Sequence, residues 1–153
     1  MNGVPGQITL PTAARGTERH YRFGPAAQPM SDASYRYETH AFAGNGLRPY
    51  PVAHLRATKN GADVAISWIR CSRIDGDIWA DGDIPLGEES EAYRLRVFKS
   101  GQLRREQMIT APHWTYTAAN LSNDIVSGFY SIEVAQMSGR FGAGLTTTIK
   151  RYL

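Results

Sequence analysis

Apolar and polar side chains alternate through much of the chain. The longest run covers residues 129–137, where Tyr130, Ile132 and Val134 would share one face. A two-residue period rich in aromatic and β-branched side chains indicates a strand with one buried face. The same period recurs over residues 52–58, 63–71, 93–98, 103–110, 114–117 and 145–152. Seven strands at hairpin spacing, with no convincing amphipathic helix, predict an antiparallel sandwich or barrel.

Aromatic residues within these runs supply the predicted core. Trp68 would fill the space between two sheets, and the order Val-x-Ile-x-Trp, Tyr-x-Leu-x-Val, Leu…Tyr-x-Ile-x-Val resembles that of fibronectin type III domains. Leu121 followed by Tyr130 has the spacing of a tyrosine corner, in which a buried phenol bonds back to the preceding loop. Ordinary packing of Tyr130 in the sheet is the alternative. We therefore predict an all-β, seven-stranded antiparallel fibronectin type III-like sandwich whose core contains Trp68, Tyr93, Leu121 and Tyr130.

Residues 1–46 differ from the rest of the chain because they are rich in Gly, Pro, Ala and Ser. Short strands are predicted over residues 7–10, 20–23 and 35–42, with a loop over residues 24–34. Three short strands with weak alternation do not make an independently stable unit. We predict an N-terminal arm or partial β-sheet over residues 1–46 that rests on another surface. The sandwich would cover residues 47–153.

A long acidic segment, residues 72–92, connects the second and third predicted strands of the sandwich. Its aspartates follow part of the calcium-binding EF-hand pattern. Trp79, Ala80 and Leu86, however, stand where an oxygen ligand, a glycine and a bidentate glutamate are required. We predict no metal site and interpret the segment either as a solvated loop pinned by Trp79 or as a partner contact. The candidate partner-contact residues are Trp79, Ile78, Asp77, Asp81 and Trp114.

Composition narrows the function classes. The chain has 153 residues, 42% of them hydrophobic, which suits one globular domain with an appendage. Its net charge of +3 comes with scattered arginines, whereas nucleic-acid-binding proteins have clustered basic residues in a known module. No apolar run reaches the length of a membrane span. We expect neither a nucleic-acid partner nor membrane insertion.

The residue types used in catalysis do not occur at suggestive spacings. The histidines lie on different predicted elements, and the chain has no nucleophile elbow. Cys71 has no histidine near it in the sequence, so a packed or surface thiol is expected. We expect no catalytic, cofactor-binding or metal-ligating residues, and a protein that is not an enzyme. An accessory piece of a glycan hydrolase is the enzymatic alternative.

A more specific likeness comes from the acidic segment and its flanks. Residues 44–57 read GNGLRPYPVAHLRA, and they are followed by SWIR at 67–70, GDIW at 76–79 and PLGEESEAY at 85–93. These motifs resemble the C-terminal region of the very large tail-tip or baseplate "megatron" proteins of gene transfer agents and related tailed phages of alphaproteobacteria. The resemblance covers roughly residues 23–153. Members of that family are far longer chains, so roles that belong to their other parts are not carried over.

The resemblance implies a virion component of the distal tail or baseplate, assembled in the cytoplasm of the bacterial host. Its function would be structural attachment, with the arm docking to other tail-tip or baseplate proteins and the chain forming oligomers in the particle. A host surface glycan or receptor is a further expected partner. The alternative is a carbohydrate-binding module that recognises a host surface polysaccharide through Trp79, Trp114 and nearby carboxylates.

Overall fold

The computed structural model describes residues 8–74 and 84–153. The chain divides into two compact units, Met1–Leu47 and Arg48–Leu153. The strands of the first unit are β1 (Glu18–Phe23) and β2 (Arg36–Ala41). The elements of the second unit are β3 (Ala53–Asn60), β4 (Asp63–Ile69), β5 (Tyr93–Lys99), β6 (Gln102–Ile109), β7 (His113–Tyr116), α1 (Ala118–Asp124), β8 (Phe129–Ser138), β9 (Gly142–Ala143) and β10 (Thr147–Tyr152).

The first unit is built on one antiparallel hairpin. Strands β1 and β2 pair over their full length, with Arg22 opposite Tyr37. The connecting loop is held by the Tyr35 hydroxyl, which donates to the carbonyl of Pro25 at 3.0 Å. The strand predicted over residues 7–10 is wrong for its described part, because residues 8–10 have no regular structure. That run is too short to pair before Pro11, where a 3-10 turn begins.

The second unit is the predicted antiparallel sandwich. One sheet has the order β3-β4-β7, and the other has the order β10-β8-β5-β6 with the short β9 paired to the end of β8. The seven predicted strands all form, and the two-residue β9 is an addition. Ser100 and Gly101 connect β5 to β6 with φ values of 51° and 77°. Two central residues with positive φ give the turn that matches the twist of a tight hairpin.

The core lies between the two sheets. Trp68 of β4 packs edge-to-face on Tyr93 of β5, with ring centroids 5.1 Å apart. Leu121 and Tyr130 are also buried. The inward residues of β5 and β8 complete the core, with Leu95, Val97, Ile132 and Val134 fully enclosed. Alternation along the strands therefore places one residue in two between the sheets.

A helix stands where the sequence predicted a loop. Thr117 caps α1 by accepting the backbone N–H of Asn120 at 3.3 Å, and Leu121 is the buried residue of the helix. The sequence pattern showed no convincing amphipathic helix and did not reveal this one. Seven residues make only two turns, which are too short to show an amphipathic period. Within the described ranges, no helix combines the length and apolarity needed to cross a membrane.

The prediction that Tyr130 forms a tyrosine corner is wrong. In the described part of the chain the buried Tyr130 hydroxyl makes no hydrogen bond, and burial raises the pKa of this phenol. Tyr116 takes the expected role, because its hydroxyl donates to Asp124 at the end of α1. The partner is thus a carboxylate on the helix rather than loop backbone.

Side chains of β10 join the edges of the two sheets on one side of the sandwich. The Thr147 hydroxyl donates to the Val52 carbonyl at 2.7 Å. Further along, Arg151 donates through Nε and Nη2 to the Ala57 carbonyl at 3.2 and 3.0 Å. Carbonyl groups at the edge of β3 are therefore satisfied by side chains instead of by another strand.

Candidate interaction surfaces

The predicted contact residues divide into two groups. Asp77, Ile78, Trp79 and Asp81 lie outside the described residues. Trp114 lies opposite Ile66 on the core side of β7 and packs on Tyr116, with ring centroids 5.0 Å apart. It is half-buried against the core, so the structure does not place Trp114 as an exposed anchor for a partner.

The C-terminal flank of the acidic segment is bonded to the sandwich. Arg73 donates through Nε and Nη2 to Glu88 at 2.9 and 2.7 Å. The Glu89 carboxylate accepts the Gly139 N–H at 3.0 Å. A hydrogen bond from the backbone N–H of Glu89 lowers the pKa of its own carboxyl. Hydrogen bonds from Gly139 and Ser138 lower this pKa further, and together they outweigh burial, which would raise it. These glutamates are engaged within the fold and are not simply solvated.

Aromatic side chains cover one face of the β1–β2 hairpin. Tyr21 stacks on Phe23 with ring centroids 6.0 Å apart and meets Phe42 edge-on at 5.9 Å. His40 joins the cluster at 5.8 Å from Phe42. Phe23 is 48% exposed and Phe42 is 52% exposed. We call Tyr21, Phe23, His40 and Phe42 the hairpin aromatic face. A contiguous exposed cluster of this kind is a feature of interaction surfaces.

The opposite face of the hairpin carries a smaller aromatic group. His20 stacks on Tyr37 with centroids 5.6 Å apart, and the Arg22 guanidinium lies 5.9 Å from the same ring. The hairpin therefore has aromatic residues on both faces, but only the first face has several large rings in mutual contact. The sequence predicted both strands and gave no indication of which face stays uncovered.

A second aromatic group lies on the outer face of the four-stranded sheet. Phe129 and Tyr152 are directly opposite each other on β8 and β10, with ring centroids 4.9 Å apart, and both are largely exposed. Phe129 also borders an open pocket of about 530 Å³, which is lined by Phe98, Ser100, Gly101, Phe129, Tyr130, Ser131 and Lys150. The signal for this group in the sequence is weak, because it consists only of the outward positions of two predicted strands.

The described residues contain no cluster of three or more His, Cys, Asp or Glu side chains that would hold a metal ion. His20 bonds to Thr39, and His40 bonds to Glu38 at 2.9 Å. Cys71 is half-buried.

Comparisons with known proteins support the fold alone. No known protein family matches the chain, and no curated protein matches it. The rat CD45 extracellular region, domains d3-d4, is similar in structure over 100% of this chain and 72% of its own, with a TM-score of 0.52 and 14% identity. This likeness, together with the sheet order, shows a fibronectin type III-like β-sandwich.

Two other solved structures are less similar. The fibronectin type-III domain of human fibronectin type III domain containing protein 3 matches 69% of this chain and 85% of its own, with a TM-score of 0.43 and 14% identity. The Clostridium perfringens spore cortex lytic enzyme SleM matches 88% of this chain and 38% of its own, with a TM-score of 0.45 and 10% identity. Neither likeness adds to the fold assignment.

Proposed function

We propose that this chain is a protein-interaction module that attaches to neighbouring proteins and catalyses no reaction. The observation that carries the proposal is the hairpin aromatic face. Phe23 and Phe42 remain about half exposed there, in contact with Tyr21 and His40. Aromatic side chains of this kind dominate the energetics of protein interfaces when a partner excludes water from them.

The architecture of the first unit supports the same conclusion. A two-stranded hairpin in water is marginally stable at best, because it buries too little apolar surface to offset the entropy lost on ordering. Six of six residues of β2 are exposed. A partner that covers the hairpin aromatic face would bury the apolar area that the hairpin itself does not bury. Docking would then stabilise the unit and the complex together.

The motif resemblance supports a narrower form of the proposal. In that form the partner is another tail-tip or baseplate protein of a phage-like particle, and the chain is an oligomeric virion component. The motifs GDIW at 76–79 and PLGEESEAY at 85–93 carry that resemblance. Glu89 gives the second motif a structural role, because its carboxylate accepts the Gly139 N–H after β8 and so fixes the end of the segment to the sandwich.

The decisive experiment replaces the rings of the hairpin aromatic face. A tagged Phe23→Ser/Phe42→Ser chain is expressed in a strain that assembles the particles, and its amount per purified particle is measured by immunoblot. We expect incorporation to fall at least about tenfold, since two interface anchors are lost. The control is Leu103→Ser/Met108→Ser, which removes two exposed apolar residues of the sandwich. Parental incorporation of the first variant, or an equal loss in the control, would contradict docking through this face.

Glycan binding is a second candidate, favoured by the outer-face pair of Phe129 and Tyr152. Exposed aromatic rings beside Ser131 and Lys150 offer an apolar platform with polar groups at its edge. Ligand sites in proteins combine these two features. Calorimetric titration with capsule or lipopolysaccharide from the host should show saturable heat that is lost in Phe129→Ala/Tyr152→Ala. The absence of heat in the parent protein would reject this candidate while leaving the docking proposal intact.

A further inference from the structure

The outer face of the three-stranded sheet carries a row of polar side chains. Arg56 of β3 lies directly opposite Ser67 of β4, which lies directly opposite His113 of β7. Directly opposed residues of antiparallel strands share a face, with Cβ atoms about 4.5–5.5 Å apart. All three residues are exposed. A guanidinium, a hydroxyl and an imidazole therefore face the same region of solvent.

His54 stands beside this row in an unusual backbone conformation. Its φ is 51°, and the register between β3 and β4 shifts between Ala53 and Arg56, so His54 lies in a β-bulge. Positive φ is uncommon for residues other than glycine, and bulges next to binding sites redirect a side chain. The surrounding surface forms a shallow pocket of about 350 Å³, lined by His54, Arg56, Ser67, Trp68 and Ile69. The bulge thus places the His54 imidazole in the pocket, while His113 stands opposite Ser67 on the neighbouring strand.

The donors of this pocket are not used by other residues that the structure describes. Within residues 8–74 and 84–153, the side chains of His54, Arg56 and Ser67 form no hydrogen bond or ion pair. By contrast, the guanidinium of Arg96 on the other sheet forms an ion pair with Glu133 at 2.8 Å. Arg56 therefore keeps its forked N–H groups available for an external acceptor.

Among the described residues, no carboxylate lines this pocket. Asp63 lies on the same face of β4 as Ser67, but it is at the far end of the strand, where its carboxylate accepts the Ala118 N–H at 2.8 Å. The residues that line the pocket are the donors His54, Arg56 and Ser67 with the hydrophobic residues Trp68 and Ile69, and none of them is acidic. The local balance of charge and hydrogen bonding therefore favours an anion.

We infer that this pocket binds a tetrahedral oxyanion, as the phosphate or sulfate group of an ester carried on a larger molecule. Arg56 donates to two oxygens at once, which is the geometry that a guanidinium offers to such groups. Ser67 donates through its hydroxyl, and His54 and His113 donate through ring N–H groups from either side of the row. The pocket is open and small, so it recognises the charged group and leaves the rest of the molecule in solvent.

The test is a titration followed by NMR. Uniformly ¹⁵N-labelled full chain receives inorganic phosphate, with chloride at matched ionic strength as the comparison. We expect saturable shifts at His54, Arg56, Ser67 and His113 with phosphate only. Arg56→Gln should weaken binding by about tenfold or more, since a charge-assisted pair is lost. Arg104→Gln, an exposed arginine on the other sheet, is the matched control and should leave the affinity unchanged.

Phenyl phosphate and phenyl sulfate distinguish the two possible esters. The ester that binds with the higher affinity identifies the group, phosphate or sulfate, that the site recognises. Equal affinities support a site that recognises both groups. His54→Gly provides an independent variant, because glycine adopts a positive φ without strain and the fold is retained. It should weaken phosphate binding while its melting temperature stays equal or rises. Shifts that chloride reproduces, or an affinity that is unchanged in both Arg56→Gln and His54→Gly, would overturn the inference.

Discussion

The hydroxyl of Tyr116 donates a 2.6 Å hydrogen bond to the carboxylate of Asp124, which joins the end of β7 to the end of α1. The same carboxylate oxygen accepts the Nε–H of Arg105 on β6, an edge strand of the other sheet, at 2.6 Å. Arg105 also donates to Asn120 within the helix. This single carboxylate therefore connects both sheets and the helix between them.

Substitution of the two tyrosines should have unequal effects. Tyr116→Phe removes a hydrogen bond to a charged group and should lower the free energy of unfolding by about 1–3 kcal/mol. Tyr130→Phe should change it by less than about 0.5 kcal/mol, because the Tyr130 hydroxyl has no partner among the described residues. Urea unfolding of the two variants measures both values. Equal midpoints for the two variants would contradict the assignment of the corner to Tyr116.

The contribution of Asp124 should depend on pH. Burial by itself would raise the pKa of Asp124, but hydrogen bonds from Arg105 and Tyr116 outweigh it and hold the pKa below its usual value. A lowered pKa in the folded state gives stability that is present above the ordinary value near 4 and is lost as the pH falls through the folded pKa. Asp124→Asn should therefore destabilise by about 1–3 kcal/mol at pH 7.

The difference in the free energy of unfolding between the parent and Asp124→Asn should shrink as the pH is lowered below about 4. Urea unfolding of both proteins between about pH 2 and pH 7 measures this difference. Glu106→Gln, at an exposed position of β6, serves as the control and should show no comparable change. A difference that is constant with pH would show that the carboxylate charge is not what stabilises the network.

The centre of the core should be sensitive to loss of its largest ring. Trp68 is 4% exposed and packs on Tyr93, so Trp68→Ala leaves a cavity and should cost about 3–5 kcal/mol. Trp114→Ala should cost less, since Trp114 is only half-buried. Thermal melts followed by circular dichroism compare the two. A Trp68→Ala melt that coincides with the parent melt would remove Trp68 from the core.

Calcium should not affect stability, because the acidic segment lacks the EF-hand ligand pattern at Trp79, Ala80 and Leu86. A ligand that binds only the folded state raises the melting temperature. We expect identical melts in a chelator and in millimolar calcium. An increase with calcium that disappears in Asp75→Ala would reveal a site in this segment.

The strands were predictable because alternation is a local property. Tyr93, Leu95 and Val97 point to one side of β5 whatever surrounds them, and that side becomes the core. Helix α1 was not predictable in the same way, since its residues are mostly polar and one buried leucine marks no period. The capping position of Thr117 was the remaining signal, and it is weak without a following apolar pattern.

The choice between the two tyrosines depends on distant residues. Tyr116 and Tyr130 are both buried aromatic residues on strands, so their local patterns are equivalent. Asp124 decides between them, and its position follows from a helix that local patterns did not reveal. Exposure of the hairpin aromatic face is likewise not a local property, because the exposed fractions of Phe23 and Phe42 depend on which distant residues pack over them.

The bonds from Thr147 to Val52 and from Arg151 to Ala57 have a consequence for self-association. A sheet grows into a fibre by repeated strand addition, and each copy then needs two free edges. On the β3/β10 side, carbonyl groups that a new strand would use are already occupied by side chains. Among the edges in the described part of the sandwich, β6 has eight residues and no such bonds to its carbonyl groups, whereas the other uncapped edge, β7, has four residues. Pairing through β6 would therefore end at two copies, so the sandwich is protected against open-ended polymerisation even when many copies are held close together.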